Sequence, residues 1–110
     1  MIIQDIVDKL ELKVLTGEAF LDRQIHGGYA ADLLSCVMAG AEAMCVWVTL
    51  QTHINIVAVA ALNEIACIVV AENAVVPQTT LDKAKQQDVV ILSSTMPVFE
   101  TVGQLIKSGV

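Results

Sequence analysis

Aromatic side chains are scarce in this sequence: Trp47, Tyr29, Phe20 and Phe99 make up 4% of 110 residues. Val, Ala, Ile and Leu must therefore fill whatever core forms. Cations are scarce too, with 6 basic residues against 12 acidic ones and Arg23 the only arginine. Lys9, Lys13, Arg23, Lys83, Lys85 and Lys107 are scattered along the chain, whereas nucleic-acid binders gather Lys and Arg on one face to neutralise phosphates. The pattern excludes nucleic acid as a partner and argues equally against an anionic membrane surface. The three cysteines, Cys36, Cys45 and Cys67, have no CxxC spacing, and neither His26 nor His53 stands at metal-ligand spacing from them. No metal site is expected. Each cysteine sits in an apolar run and is expected to be a reduced, buried thiol of a cytoplasmic protein.

Long apolar runs are also missing, although hydrophobic residues reach 55% and charged ones only 16%. The segment VWVTLQTHINIVAVAAL, positions 46–62, comes nearest to a membrane span. Gln51, Thr52, His53 and Asn55 interrupt it, and Asn63 and Glu64 separate it from the apolar residues 65–71. A span needs about 20 apolar residues, and a mid-bilayer carboxylate costs several kcal/mol, so no membrane helix is expected. The opening MIIQDIVDKLE has neither a basic region nor an unbroken apolar core, so it does not read as a signal peptide.

The rest of the pattern reads as one α/β domain. Ile2, Ile3, Ile6, Val7 and Leu10 fall at helical spacing with Asp5, Asp8 and Lys9 opposite, an amphipathic helix. Leu12–Leu15 reads as a short strand stopped by Thr16-Gly17, and RQIHGGY as a short extended piece. YAADLLSCVMAG predicts a helix with Leu33, Leu34, Val37 and Met38 on one side, Asp32 in its first turn and Gly40 at its end. MCVWVTL reads as a buried strand, and 54–65 as a helix. Ala66–Ala71 is a second buried strand. PQTTLDKAKQQD is a helix with Leu81 and Ala84 inward, VVILSST a strand, and PVFETVGQLIKSG a last helix with Pro97 in its first turn. Apolar strands alternating with helices imply right-handed crossovers and a mainly parallel sheet with helices on both faces. Such a composition also leaves apolar surface for self-association, and a homodimer is expected.

In an open parallel sheet, ligands sit beyond the carboxyl ends of the strands, beside helix amino termini that favour anions. Those corners hold Gln51, Thr52, His53 and Asn55 after one strand, Glu72-Asn73 after the next, and Ser93, Ser94 and Thr95 after the last. Thr52, Asn55 and Thr95 are also helix-capping residue types, so capping and binding both call for them. Gln51 and His53 exceed what a cap requires. Gly27-Gly28 permits a tight turn or close approach of a ligand to the backbone, but HGGYAADLLS matches neither dinucleotide nor P-loop patterns. Arg23 with Asp22 reads as an anion clamp or as a structural ion pair. His53 and Ser93-Ser94 share one edge, yet no GxSxG elbow and no orienting carboxylate accompany them, so catalysis is not expected.

Residues 12–110 resemble the DRTGG domain family. Asp22, Arg23, Gly27 and Gly28 stand at name-giving positions, Gln24 replaces the threonine, and His26 precedes the glycines. The strongest pieces are GGY-x-x-DLLS and LQTH-x-N-I-VAVA. The resemblance implies an α/β fold similar to the N-terminal domain of HPr kinase/phosphorylase. It also implies the setting of such domains, which occur alone, beside CBS domains and in some phosphotransacetylases. The function it implies is that of an oligomeric regulatory or ligand-sensing module without kinase activity. The combined expectation is a non-catalytic module that binds a small anionic metabolite or nucleotide at Gly27, Gly28, Gln51, Thr52, His53, Asn55, Ser93, Ser94 and Thr95. No cofactor is expected. The alternative is an assembly domain that brings protein partners together and has no small ligand.

Overall fold

A computed structural model describes all of Met1–Val110. Its elements are α1 (Ile3–Leu10), β1 (Lys13–Thr16), β2 (Gly28–Ala30), α2 (Leu34–Gly40), β3 (Val46–Thr49), α3 (Asn55–Leu62), β4 (Cys67–Val70), α4 (Gln78–Gln86), β5 (Ile91–Ser93) and α5 (Val98–Lys107). The five strands form one sheet in the order β1-β5-β4-β3-β2; β1 runs antiparallel to β5 and every other pair is parallel. This is the α/β architecture that the alternation of apolar strands and helices predicts.

The crossovers from β2 to β5 all step the same way, so their right-handedness puts α2, α3 and α4 on one face. Side-chain alternation along the strands divides the core accordingly. Trp47, Ile68, Val70 and Ile91 pack under Val37 of α2, Ile56, Val57 and Ala60 of α3 and Ala84 of α4. Val46, Val48, Val69 and Leu92 face the other way, onto Ile3 and Ile6 of α1 and Leu105 of α5. The central strands β3 and β4 are buried along their whole length.

Sequence patterning misses where the edges fall. The helix expected from Tyr29 starts only at Leu34, because Gly28–Ala30 is the edge strand β2, paired with Val46–Val48. The Trp47 indole N–H donates to the Ala31 carbonyl at 2.9 Å and fixes that edge. Of Leu33, Leu34, Val37 and Met38, only Val37 is buried, while Leu33 and Met38 face solvent. Cys36, expected inside, is exposed on α2; Cys45 and Cys67 are buried. At the other edge the β1–β5 register shifts between Val14 and Thr16. The buried Thr16 hydroxyl fills that break, donating to the Val89 carbonyl at 2.8 Å and accepting the Ile91 N–H at 3.0 Å.

Three helices end alike. Glu11, Glu64 and Asp88 each adopt positive φ just past α1, α3 and α4. The next N–H then reaches back into the helix: Leu12 to Val7, Ile65 to Ala60 and Val89 to Ala84, at 2.9–3.1 Å. This is the left-handed helix terminus usually given to glycine.

Candidate functional site

The carboxyl ends of β2, β3 and β4 carry a corner built around two buried or half-buried hydroxyls and one carboxylate. Asp32, just past β2, accepts the Leu50 N–H at 2.7 Å and the Thr49 hydroxyl at 2.9 Å through the same Oδ1. Thr49 Oγ1 in turn accepts the Gln51 N–H at 3.0 Å. Asp32 therefore does not sit in the first turn of a helix. It ties the end of β2 to the turn that leaves β3.

From there the chain enters α3 through Gln51–Asn55. The capping role falls on a residue that the sequence does not nominate for it. His53 Nδ1 accepts the Asn55 N–H at 3.1 Å, and the Thr52 and Asn55 side chains cap nothing. With Nδ1 accepting, the neutral ring carries its proton on Nε2, which makes no bond within the chain. Thr52 offers only its carbonyl, which takes the buried Thr80 hydroxyl of α4 at 2.8 Å. The hydroxyl of Thr80 thus holds the corner from behind. Gln51, His53 and Asn55 are exposed.

Adjacent strands whose following helices lie on opposite faces open a crevice between them, where α/β proteins place ligands. Here those strands are β4, which leads to α4, and β5, which leads to α5. Two backbone bonds stitch that crevice shut: Glu72 N–H to the Met96 carbonyl at 2.9 Å and Asn73 N–H to the Ser94 carbonyl at 2.8 Å. Glu72 and Asn73 both take positive φ to make these bonds. Ser94 is not a solvent-facing rim residue. It is buried, its hydroxyl lies 2.9 Å from Thr101 Oγ1, and it accepts the Met96 N–H. Ser93 closes β5 half-buried, and Thr95 is exposed without a capping bond.

The nine expected site residues therefore separate into three groups. Gln51, Thr52, His53 and Asn55 lie together after β3. Ser93 ends β5 and Ser94 and Thr95 follow it, two strands away, which is about 10 Å. Gly27 and Gly28 lie at the amino end of β2, the opposite end of the parallel strands. Gly27 takes φ +70 with open space about it, and Gly28 lines an apolar groove of about 260 Å³ with Tyr29, Ala30, Val102 and Ile106. Because Ser94 is committed to Thr101 and β4 intervenes, no serine–histidine pair forms with His53. No buried side-chain nitrogen or oxygen lacks a partner.

Arg23 also resolves. Its guanidinium donates to the Asp88 carbonyl at 2.7 Å and lies 4.5 Å from the Phe20 ring centroid, so it holds the end of α4. The Asp32 carboxylate borders the 51–55 corner through its bonds to Thr49 and Leu50, and His53 is the one imidazole there. Sequence reasoning missed Asp32, Thr49 and Thr80, which shape the corner. Thr49 was legible as a lone hydroxyl ending an apolar strand, but Asp32 and Thr80 reach it from 17 and 28 residues away. Burial pushes the Cys45 and Cys67 thiols up from their ordinary value, which favours the protonated, unreactive form.

No family model matches this sequence, and no curated protein does. Among solved structures, the chain is similar to the CBS and DRTGG domains of the regulatory region of Clostridium perfringens pyrophosphatase, crystallised with its activator diadenosine tetraphosphate. The TM-score is 0.74 at 12% sequence identity, over 96% of this chain and 46% of that one. The two share a fold. This chain spans a little under half the length of its neighbour. No helix of the structure is long and apolar enough to cross a membrane.

Proposed function

We propose that this chain is a non-catalytic regulatory module of DRTGG type that senses a small anionic metabolite or nucleotide at the carboxyl end of its parallel sheet. The observation that supports it is the 51–55 corner. Gln51, the Nε2–H of His53 and the Asn55 amide are exposed donors with no partner in the chain, held on a turn that Asp32, Thr49 and Thr80 fix from behind. Donors on a fixed turn lose little freedom on binding. The neighbouring carboxylate narrows the ligand class. Asp32 repels a bare phosphate but accepts hydroxyl or amino donors, so the ligand joins an anionic group to a donor-bearing part, as a nucleotide does. Ser93 and Thr95 stand as secondary contacts at most, Ser94 serves the fold, and Gly27 and Gly28, at the opposite end of the sheet, lie apart from the corner. The fold of a regulatory region that binds a nucleotide activator supports the same reading. Reduced thiols fit a cytoplasmic setting, and the chain acts as a homodimer.

Thermal denaturation with ATP, diadenosine tetraphosphate, acetyl phosphate or citrate tests it. A probe at 100 times its dissociation constant stabilises by about 2.7 kcal/mol. At least one nucleotide is expected to raise the midpoint, and Gln51→Ala with His53→Ala is expected to abolish that rise. An unchanged midpoint with every probe, or a rise that survives the double substitution, refutes the reading.

A further inference from the structure

α3 is uncharged on every side, and after Asn55 its sequence, NIVAVAAL, is apolar throughout. Folded proteins bury such a helix all round. Here Ile56, Val57, Val59 and Ala60 are buried, but Ala58 and Ala61 are exposed and Leu62 is 68% exposed. Beside it on α2, Met38 is 51% exposed, and Leu33, at the start of that helix, 64%. Leu34, Met38, Ala58 and Leu62 line a shallow groove of about 270 Å³ between the two helices. From Leu33 to Asn63, Glu42 is the only charged residue, in a chain whose net charge is −6.

We propose that the outer face of α2 and α3 is the contact surface between two copies of this chain, with α3 against α3 about a twofold axis. Charge selects the occupant. A basic partner is drawn to acidic groups, and the span from Leu33 to Asn63 offers only Glu42. Two copies of charge −6 repel least where neither presents a charge, and no other helical face is so bare: α1, α4 and α5 all carry Asp or Glu together with Lys. A twofold contact uses Leu62 and Met38 twice, and Ala58 and Ala61 let the two helices approach closely. Size sets the strength. Helices of 7 and 8 residues give a patch of a few hundred Å², below the roughly 800 Å² per partner of a standard interface. The pair is therefore weak and concentration-dependent. This inference rests on the homodimer stated above and not on the ligand corner, so a failed ligand screen leaves it standing.

Sedimentation equilibrium of the whole chain from roughly 1 to roughly 500 µM, the range a weak interface spans, tests it. The unmodified chain is expected to pass from monomer to dimer. Leu62→Glu is expected to raise the dissociation constant at least tenfold with an unchanged melting curve. Phe99→Glu, at an 89% exposed position on α5, the opposite face, is expected to dimerise as the unmodified chain does. If Leu62→Glu melts abnormally, Met38→Lys on α2 takes its place under the same criterion. A monomer at every concentration, undiminished dimerisation of the α2 or α3 variant, or equal loss in Phe99→Glu overturns the proposal.

Discussion

α3 and α4 lie side by side over the same face of the sheet, yet they meet water in opposite ways. α4 buries Thr80 and Ala84 and turns Asp82, Lys85 and Gln86 outward, the division expected of a helix at a solvent boundary. α3 buries Ile56, Val57, Val59 and Ala60 and turns alanines and a leucine outward. The two helices end in the same way, at an acidic residue with positive φ. Their difference lies in the outer face, and it teaches that the sheet's apolar cover extends to the solvent surface at α3 and gives way to polar residues there at α4. They also hold the 51–55 corner differently. α3 starts from it, capped by His53, whereas α4 reaches it sideways with one hydroxyl.

The largest expected effect breaks the comparison from the inside. Ile56→Ala removes a fully buried side chain from the centre of the α2–α3–α4 layer and is expected to cost about 2–5 kcal/mol. Leu81→Ala, on α4, removes a half-buried one and is expected to cost less than half as much. Urea denaturation of both variants checks it; equal losses mean that the two helices contribute alike to the core.

A smaller effect separates the polar contact from the apolar ones. Thr80→Val keeps the shape of the side chain but leaves the Thr52 carbonyl without its donor, at an expected cost of about 1–3 kcal/mol. Because Thr80 steadies the turn that carries Gln51 and His53, faster amide hydrogen exchange is expected at 51–55 with little change in β4. Exchange that rises evenly through the domain would show that Thr80 matters only for global stability.

Apolar runs at 46–49, 67–70 and 91–93 were legible as strands because a sheet covered on both faces needs no alternation, and the intervening helical spacing then implied the crossovers. The edge strand β2 was not legible. Gly28–Ala30 has no run of its own, and its pairing is decided by Val46–Val48, Trp47 and Asp32, all remote in sequence or in the next element. The 51–55 corner was legible as polar residues between apolar ones. Its wiring was not, since a histidine caps where a threonine or asparagine is the usual residue, and the rigidity comes from Asp32 and Thr80. Grouping Gly27 and Gly28 with that corner failed for a topological reason: parallel strands put the start of β2 and the end of β3 at opposite ends of the sheet.

The smallest effect tests the terminus that α3 and α4 share. A side chain at positive φ costs about 1–2 kcal/mol relative to right-handed backbone, and glycine escapes that cost while giving back about 0.5–1 kcal/mol in the unfolded chain. Glu64 and Asp88 also put negative charge at helix carboxyl termini, where the dipole disfavours it. Glu64→Gly and Asp88→Gly are therefore each expected to stabilise, by about 0.5–1 kcal/mol. Asp88→Gly keeps the carbonyl that Arg23 holds, so the gain at the end of α4 should match that at the end of α3. Equal gains in thermal denaturation would locate the whole difference between the helices in their outer faces. A loss at Glu64 alone would mean that its carboxylate makes a stabilising contact that the shared terminus does not require, with Arg23, which lines the same cavity, as the cation to test by Arg23→Ala.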